Sequence, residues 1–264
     1  MAVVALRGLL QRVKEGGFVA RKRIATLPPP RLARRIRRRE TVRLARQYLG
    51  GLKGIEIGGA AQHDFGVDAI NVDRYASMDT VYKRHERDVW GRAKPVDLVA
   101  PGDDLPFKDD AVDFVLASHV LEHIPDPIRA LKEWVRVARE YVFLVIPHRD
   151  RTFDRARALT PVSELVERHA RGFASEDDRH WSVWTCESFL ELCDHLGLPV
   201  IETRDPDCRK GNGFVVVIGT RQSASRRAPA GGSAARRVAP AGGPVLAGRP
   251  AKPVPSPRQP SKEE

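Results

Sequence analysis

Cysteine is scarce in this chain, 3 in 264 residues. Cys186, Cys193 and Cys208 form no Cys-x-x-Cys pair and no even-numbered framework. That excludes a disulfide scaffold, speaks against a zinc site and favours a reducing compartment. Long apolar runs are also missing. Nothing approaches the ~20 residues needed to span a bilayer. The apolar start Met1-Ala2-Val3-Val4-Ala5-Leu6 is too short for a signal peptide, and its cations follow rather than precede it. The chain therefore reads as cytoplasmic. Large apolar side chains are nearly absent from residue 221 onward, where Ala, Gly, Pro, Ser and Arg dominate. Such a tail cannot offset its conformational entropy by burial, so 221–264 is expected to be disordered. No internal repeat is present.

Acidic residues are missing from both ends. Residues 1–53 hold 15 Lys and Arg against 2 Asp and Glu, and residues 221–264 hold 9 against 2. Residues 54–220 hold 21 against 30, so the net charge of +11 belongs to the arms. An acidic central region would repel a phosphate backbone, and no specific nucleic-acid partner is expected. Residues 1–45 read as a basic helical arm broken at Pro28-Pro29-Pro30. A second helix is expected over 31–49, with Leu32, Ile36, Leu44 and Tyr48 turned inward and Arg34, Arg35, Arg37, Arg38 and Arg39 outward. Three readings of the arm stay open: a solvated helix on the edge of the fold, peripheral contact with anionic lipid at the inner membrane face, or, third, nucleic-acid contact.

The central region alternates strand and helix signals, which implies a mostly parallel sheet with helices on both faces. Gly54-Ile55-Glu56-Ile57-Gly58-Gly59 reads as a buried strand that breaks at glycine, where a missing Cβ lets backbone approach a bulky ligand. Ile70-Asn71-Val72-Asp73 reads as a second strand ending in a carboxylate suited to a ribose diol. Strands are also expected at 96–99, 111–118 and 141–147. A helix should start at Asp126 as N-cap with Pro127 in first position, and another at Thr185, closed by Gly197. Residues 200–203 and 214–219 should form an antiparallel hairpin.

One order of features stands out: the glycine-ended strand, the acid-ended strand, Leu105-Pro106-Phe107, then a strand running into His119-Val120-Leu121-Glu122-His123. It resembles the class I S-adenosylmethionine-dependent methyltransferases, in particular the type 11-like methyltransferase domain. The resemblance covers roughly residues 50–220 and departs from the family at two points. Ala60 stands where a second glycine is common, and Pro101 where an acidic residue often contacts the adenine amine.

The resemblance implies an α/β, doubly wound, mostly parallel seven-stranded sheet with an antiparallel C-terminal hairpin, over 46–220. It also implies S-adenosylmethionine as cofactor. Glu56 would bind the cofactor's amino group, Gly58 and Gly59 would admit its backbone, and Asp73 would accept from the ribose. Asp103, Asp104 and Leu105 would flank the adenine, with Ser118 and His119 beside the cofactor at the end of the fourth strand. No metal is required in principle. The acceptor is expected to be oxygen or nitrogen of a small molecule, sugar or lipid-linked intermediate.

Three histidines at strand ends or in loops are candidate general bases: His119, His148 and His180. His123 reads as a structural residue of a short helix, and His63 as shaping the cofactor's methionine end. The polar, Arg-rich segment 149–175 is a candidate lid. Three alternatives remain. A dinucleotide oxidoreductase would want Gly-x-Gly-x-x-Gly, and the run Gly58-Gly59-Ala60-Ala61-Gln62-His63 lacks the third glycine. A non-catalytic cofactor-binding relative is the second. A nucleic-acid methyltransferase is the third and the weakest, without an Asn/Asp-Pro-Pro-Tyr/Phe tetrapeptide.

Overall fold

Strand-forming segments of this chain are dense in β-branched and aromatic residues, and they assemble into one seven-stranded sheet. The computed structural model describes residues 30–61, 64–176, 178–207 and 211–220, and for 30–39 the backbone alone. In chain order the elements are α1 (Pro30–Leu49), β1 (Lys53–Ile57), β2 (Asp68–Asp73), α2 (Val81–Trp90), β3 (Leu98–Val99) and β4 (Val112–Ser118). They continue with α3 (Pro127–Val137), β5 (Ala138–Pro147), α4 (Val162–Ala170), α5 (Cys186–His195), β6 (Val200–Arg204) and β7 (Gly213–Gly219). The strand order is β3-β2-β1-β4-β5-β7-β6. Strands β3 to β5 are parallel; β7 runs antiparallel between β5 and β6. The seven strands and the antiparallel pairing of the last two match the sequence expectation of an α/β sheet.

Two apolar layers cover the two faces. One contains Ile55, Val115, Leu144, Trp134, Phe189 and Phe214, drawn from the sheet, α3 and α5. The other contains Leu44, Ala45, Leu49, Phe114, Phe143 and Val217, where α1 lies against the opposite face. A fully buried Leu or Phe contributes about 1.5–3 kcal/mol, so α1 is part of the core. It runs without a break through the boundary at 45/46 placed on composition. Leu44 and Tyr48 face inward as expected, and the Tyr48 hydroxyl donates to Glu202 at 3.2 Å.

Local signals explain several boundaries. Asp126 caps α3 by accepting from Arg129 N at 3.0 Å, with Pro127 in the first turn. Thr185 and Ser188 form a reciprocal capping box on α5. Gly197 follows with φ +64. The strand expected over 96–99 shrinks to Leu98–Val99, because the Asp97 carboxylate turns back to accept from Asn71 N at 2.7 Å. Segment 149–175 contains two short 3-10 turns and α4. The expected helix over 3–25, the tail 221–264, His63 and Cys208 lie outside the described residues.

Candidate active site

The sheet reverses its strand order between β1 and β4, each of which runs parallel to its neighbours. Loops leaving the carboxyl ends of β1 and β4 must therefore diverge to opposite sides, which opens a crevice. A cavity of about 600 Å³ lies there.

The glycine turn after β1 forms one wall. Gly58 adopts φ +61, and a Cβ on it would meet Val120 Cγ2 at 2.8 Å. Its N–H donates to Val72 O at 2.8 Å, which ties the turn to β2. The turn is buttressed from behind by buried polar groups. Fully buried Asn71 accepts from Gly59 N at 2.8 Å and donates to Pro95 O at 2.7 Å. Buried Lys83 on α2 donates to Gly59 O at 3.1 Å and pairs with Glu86 at 3.1 Å. Glu86 in turn accepts from Ala61 N at 2.9 Å.

The expected site residues divide cleanly. Gly58, Asp73, Asp103, Ser118, His119 and His180 line the cavity. Asp73 stands at the end of β2 and accepts from Tyr75 N at 3.2 Å. Ser118 and His119 follow β4, His119 with φ 57 and its N–H bonded to Val145 O at 2.9 Å. Glu56, Gly59, Asp104, Leu105 and His148 are not in the lining. The Glu56 carboxylate is buried against Lys94, with which it forms an ion pair. Gly59 is required by packing, since a Cβ there would meet Asn71 Oδ1 at 2.5 Å. Asp104 faces solvent and pairs with Arg129 at 3.5 Å. Leu105 is in the core, its N–H donating to Glu133 at 2.8 Å. His148 turns toward the β5–β7 end, accepting from Asp150 N at 3.1 Å and packing on Phe214.

His123 does more than pack in a short helix, because it lines the cavity together with Glu122. Its Nδ1 lies 3.1 Å from Asp178, and its ring meets the His180 ring edge-on at 4.7 Å. His180 is drawn in by the backbone: Trp181 N and Ser182 N donate to Glu122 O at 2.7 and 3.3 Å. Burial and the neighbouring His180 push the His123 imidazole below its ordinary value. Burial pushes the Glu122 carboxyl up to about 8. Burial and the adjacent Asp178 raise the Tyr82 phenol above its ordinary value. Glu122 and His123 were visible in the Leu-Glu-His run, but their joining to Asp178 and His180 crosses more than fifty residues of chain, and no spacing rule signals it.

Residues 49–146 match the family model described as a methyltransferase domain. An uncharacterized methyltransferase from Mycobacterium sp. (strain JLS) is 55% identical over 40 residues, 15% of this chain and 16% of the relative. A second, from strain KMS, is 52% identical over the same length and shares. This chain thus aligns with about one-sixth of those relatives' own length. Among solved structures, a SAM-dependent methyltransferase from Thermotoga maritima described as a possible histamine N-methyltransferase is 22% identical, with TM-score 0.44 over 72% of this chain and 91% of that one. One from Methanosarcina mazei is 21% identical, with TM-score 0.45 over 67% and 96%. Within the matched segment, 49–146, lie Gly58, Asp73, Asp103, Ser118 and His119; His180 comes from beyond it.

Proposed function

We propose that this protein is an S-adenosylmethionine-dependent methyltransferase that transfers the methyl group to oxygen or nitrogen of a small-molecule, sugar or lipid-linked acceptor. The observation that carries the reading is the convergence of Gly58, Asp73, Asp103, Ser118 and His119 on one cavity at the strand-order reversal. The residues fit the cofactor. Gly58 presents a turn with no Cβ, Asp73 offers a carboxylate to a diol, and the cavity volume of about 600 Å³ falls in the range of ligand sites. When bound, the cofactor supplies an electrophilic methyl on sulfur.

The chain's own work is to hold both reactants in line and accept the acceptor's proton. His119 is assigned as proton acceptor. It follows the last residue of β4 directly, beside buried Ser118, and its Nδ1 lies 3.7 Å from Glu122. Phe153, on the segment after β5, lies in the lining. Calorimetry with S-adenosylhomocysteine tests the reading: saturable binding is expected, and no heat at about 1 mM, near −4 kcal/mol, would overturn it.

A further inference from the structure

Glu122 is 1% exposed and neither of its side-chain oxygens has a hydrogen bond. A buried carboxylate in that state is costly unless a charge compensates it. Among the described residues, its ion-pair neighbours within 4 Å are imidazoles alone, His119 Nδ1 at 3.7 Å and His123 Nε2 at 3.9 Å. Neutral imidazoles compensate no charge. His123, with Asp178 on its Nδ1, turns its Nε2 lone pair toward the carboxylate.

Two imidazoles are held in one tautomer by carboxylates on their far sides. His123 Nδ1 is 3.1 Å from Asp178, and Asp178 is fixed by the Tyr82 hydroxyl at 2.5 Å. His180 Nδ1 is 2.5 Å from Asp154, and Asp154 is fixed by Arg157 at 2.7 Å. A carboxylate on Nδ1 retains the proton there and leaves the Nε2 lone pair open. That is how metal-binding histidines are oriented and made more basic. One ligand atom from each of Glu122, His123 and His180 lies within 4.8 Å of the others.

We infer that Glu122, His123 and His180 form a binding site for one divalent transition-metal ion, oriented by Asp178 and Asp154. Two imidazole nitrogens and one carboxylate oxygen suit zinc and its first-row neighbours, whereas magnesium and calcium prefer oxygen throughout. Bonds of about 2.0–2.2 Å place tetrahedral ligand atoms about 3.4 Å apart, so residues 122–123 and 180 draw together slightly around the ion. Binding displaces the Glu122 proton, and the ion then compensates the carboxylate's charge. Remaining coordination positions open into the cavity, where water or an oxygen-bearing ligand completes the shell. The site does not depend on methyl transfer.

The test uses the full-length, tag-free protein, stripped by a chelator and dialysed. Cobalt(II) is titrated with visible absorption as the readout, and zinc(II) by calorimetry. One saturable equivalent is expected, with the intense absorption of low-coordinate cobalt. Glu122→Gln and His180→Gln should each weaken binding at least tenfold, and Asp178→Asn by about 10–100-fold. Circular dichroism checks folding. Should Glu122→Gln not fold, His180→Gln decides alone, since its ring lies at the cavity wall. No saturable cobalt or zinc binding, or undiminished binding in His180→Gln, overturns the site. Calorimetry with S-adenosylhomocysteine on the metal-free protein separates the two conclusions, because cofactor binding without metal binding removes only this one.

Discussion

Gly58 concentrates the demands of the crevice in one residue. Its φ of +61 disfavours any side chain, and the position a Cβ would take is 2.8 Å from Val120 Cγ2. Gly58→Ala should therefore lose about 1–2 kcal/mol from the left-handed backbone alone, read as a lower denaturation midpoint. Asp73 tests the other side of the same cavity. Asp73→Ala should weaken S-adenosylhomocysteine by about 1.5–3 kcal/mol, the scale of hydrogen bonds to a charged group. An unchanged affinity in calorimetry would remove Asp73 from the site. His119→Asn should reduce methyl transfer by about 10²–10⁴-fold while leaving cofactor affinity near wild type. Equal loss of both would make His119 a binding residue. Gly58, Asp73 and His119 were legible because each marks a strand end, where chain direction and residue type coincide. Glu56 lies outside the cavity lining, held by Lys94, which is 38 residues away in sequence and is brought to it only by the folded turn.

At the scale of elements, caps follow sequence and packing does not. The Thr185 cap is a local event over four residues, so it was readable in advance; the reciprocal bond from Ser188 was added by the structure. Thr185→Ala should cost about 1 kcal/mol, seen as a lower thermal midpoint. Helix α2 shows the opposite case. It buries Lys83 and Glu86 and leaves Val81, Tyr82, Val89 and Trp90 exposed. Apolar periodicity could not announce a helix whose inward face is an ion pair beneath the glycine turn. Helix α1 lies between these cases. Its Leu44 is 7% exposed against the sheet, and Leu44→Ala should lose about 2–5 kcal/mol. A fall of that size in chemical denaturation would show that α1 belongs to the core. Little change would return it to the status of a solvated arm.

Across the whole molecule, stability is tied to pH through a residue outside the cavity lining. His148 is buried, and burial followed by the Arg151 charge lowers its affinity for protons, partly opposed by Asp205, Asp150 and Glu187. The unfolded chain binds a proton near 6.5 and the folded chain at lower pH. Stability contributed by neutral His148 is thus present above about 6.5 and lost as pH falls toward the folded value. His148→Asn should flatten the thermal midpoint over that window, and an unaltered pH profile would exclude the linkage. Among the described residues no helix is long and apolar enough to cross a membrane. By itself, the sequence determined the alternation of strands and helices, the antiparallel pairing of the last two strands, the caps, and the strand-end positions of Gly58, Asp73, Ser118 and His119, because all of these are written in short-range periodicity and turn chemistry. The insertion of β7 between β5 and β6, the burial of α1, and the meeting of Glu122 and His123 with His180 were decided by the tertiary structure. Each depends on segments brought together only when the sheet closes its apolar faces, and a linear pattern carries no record of that.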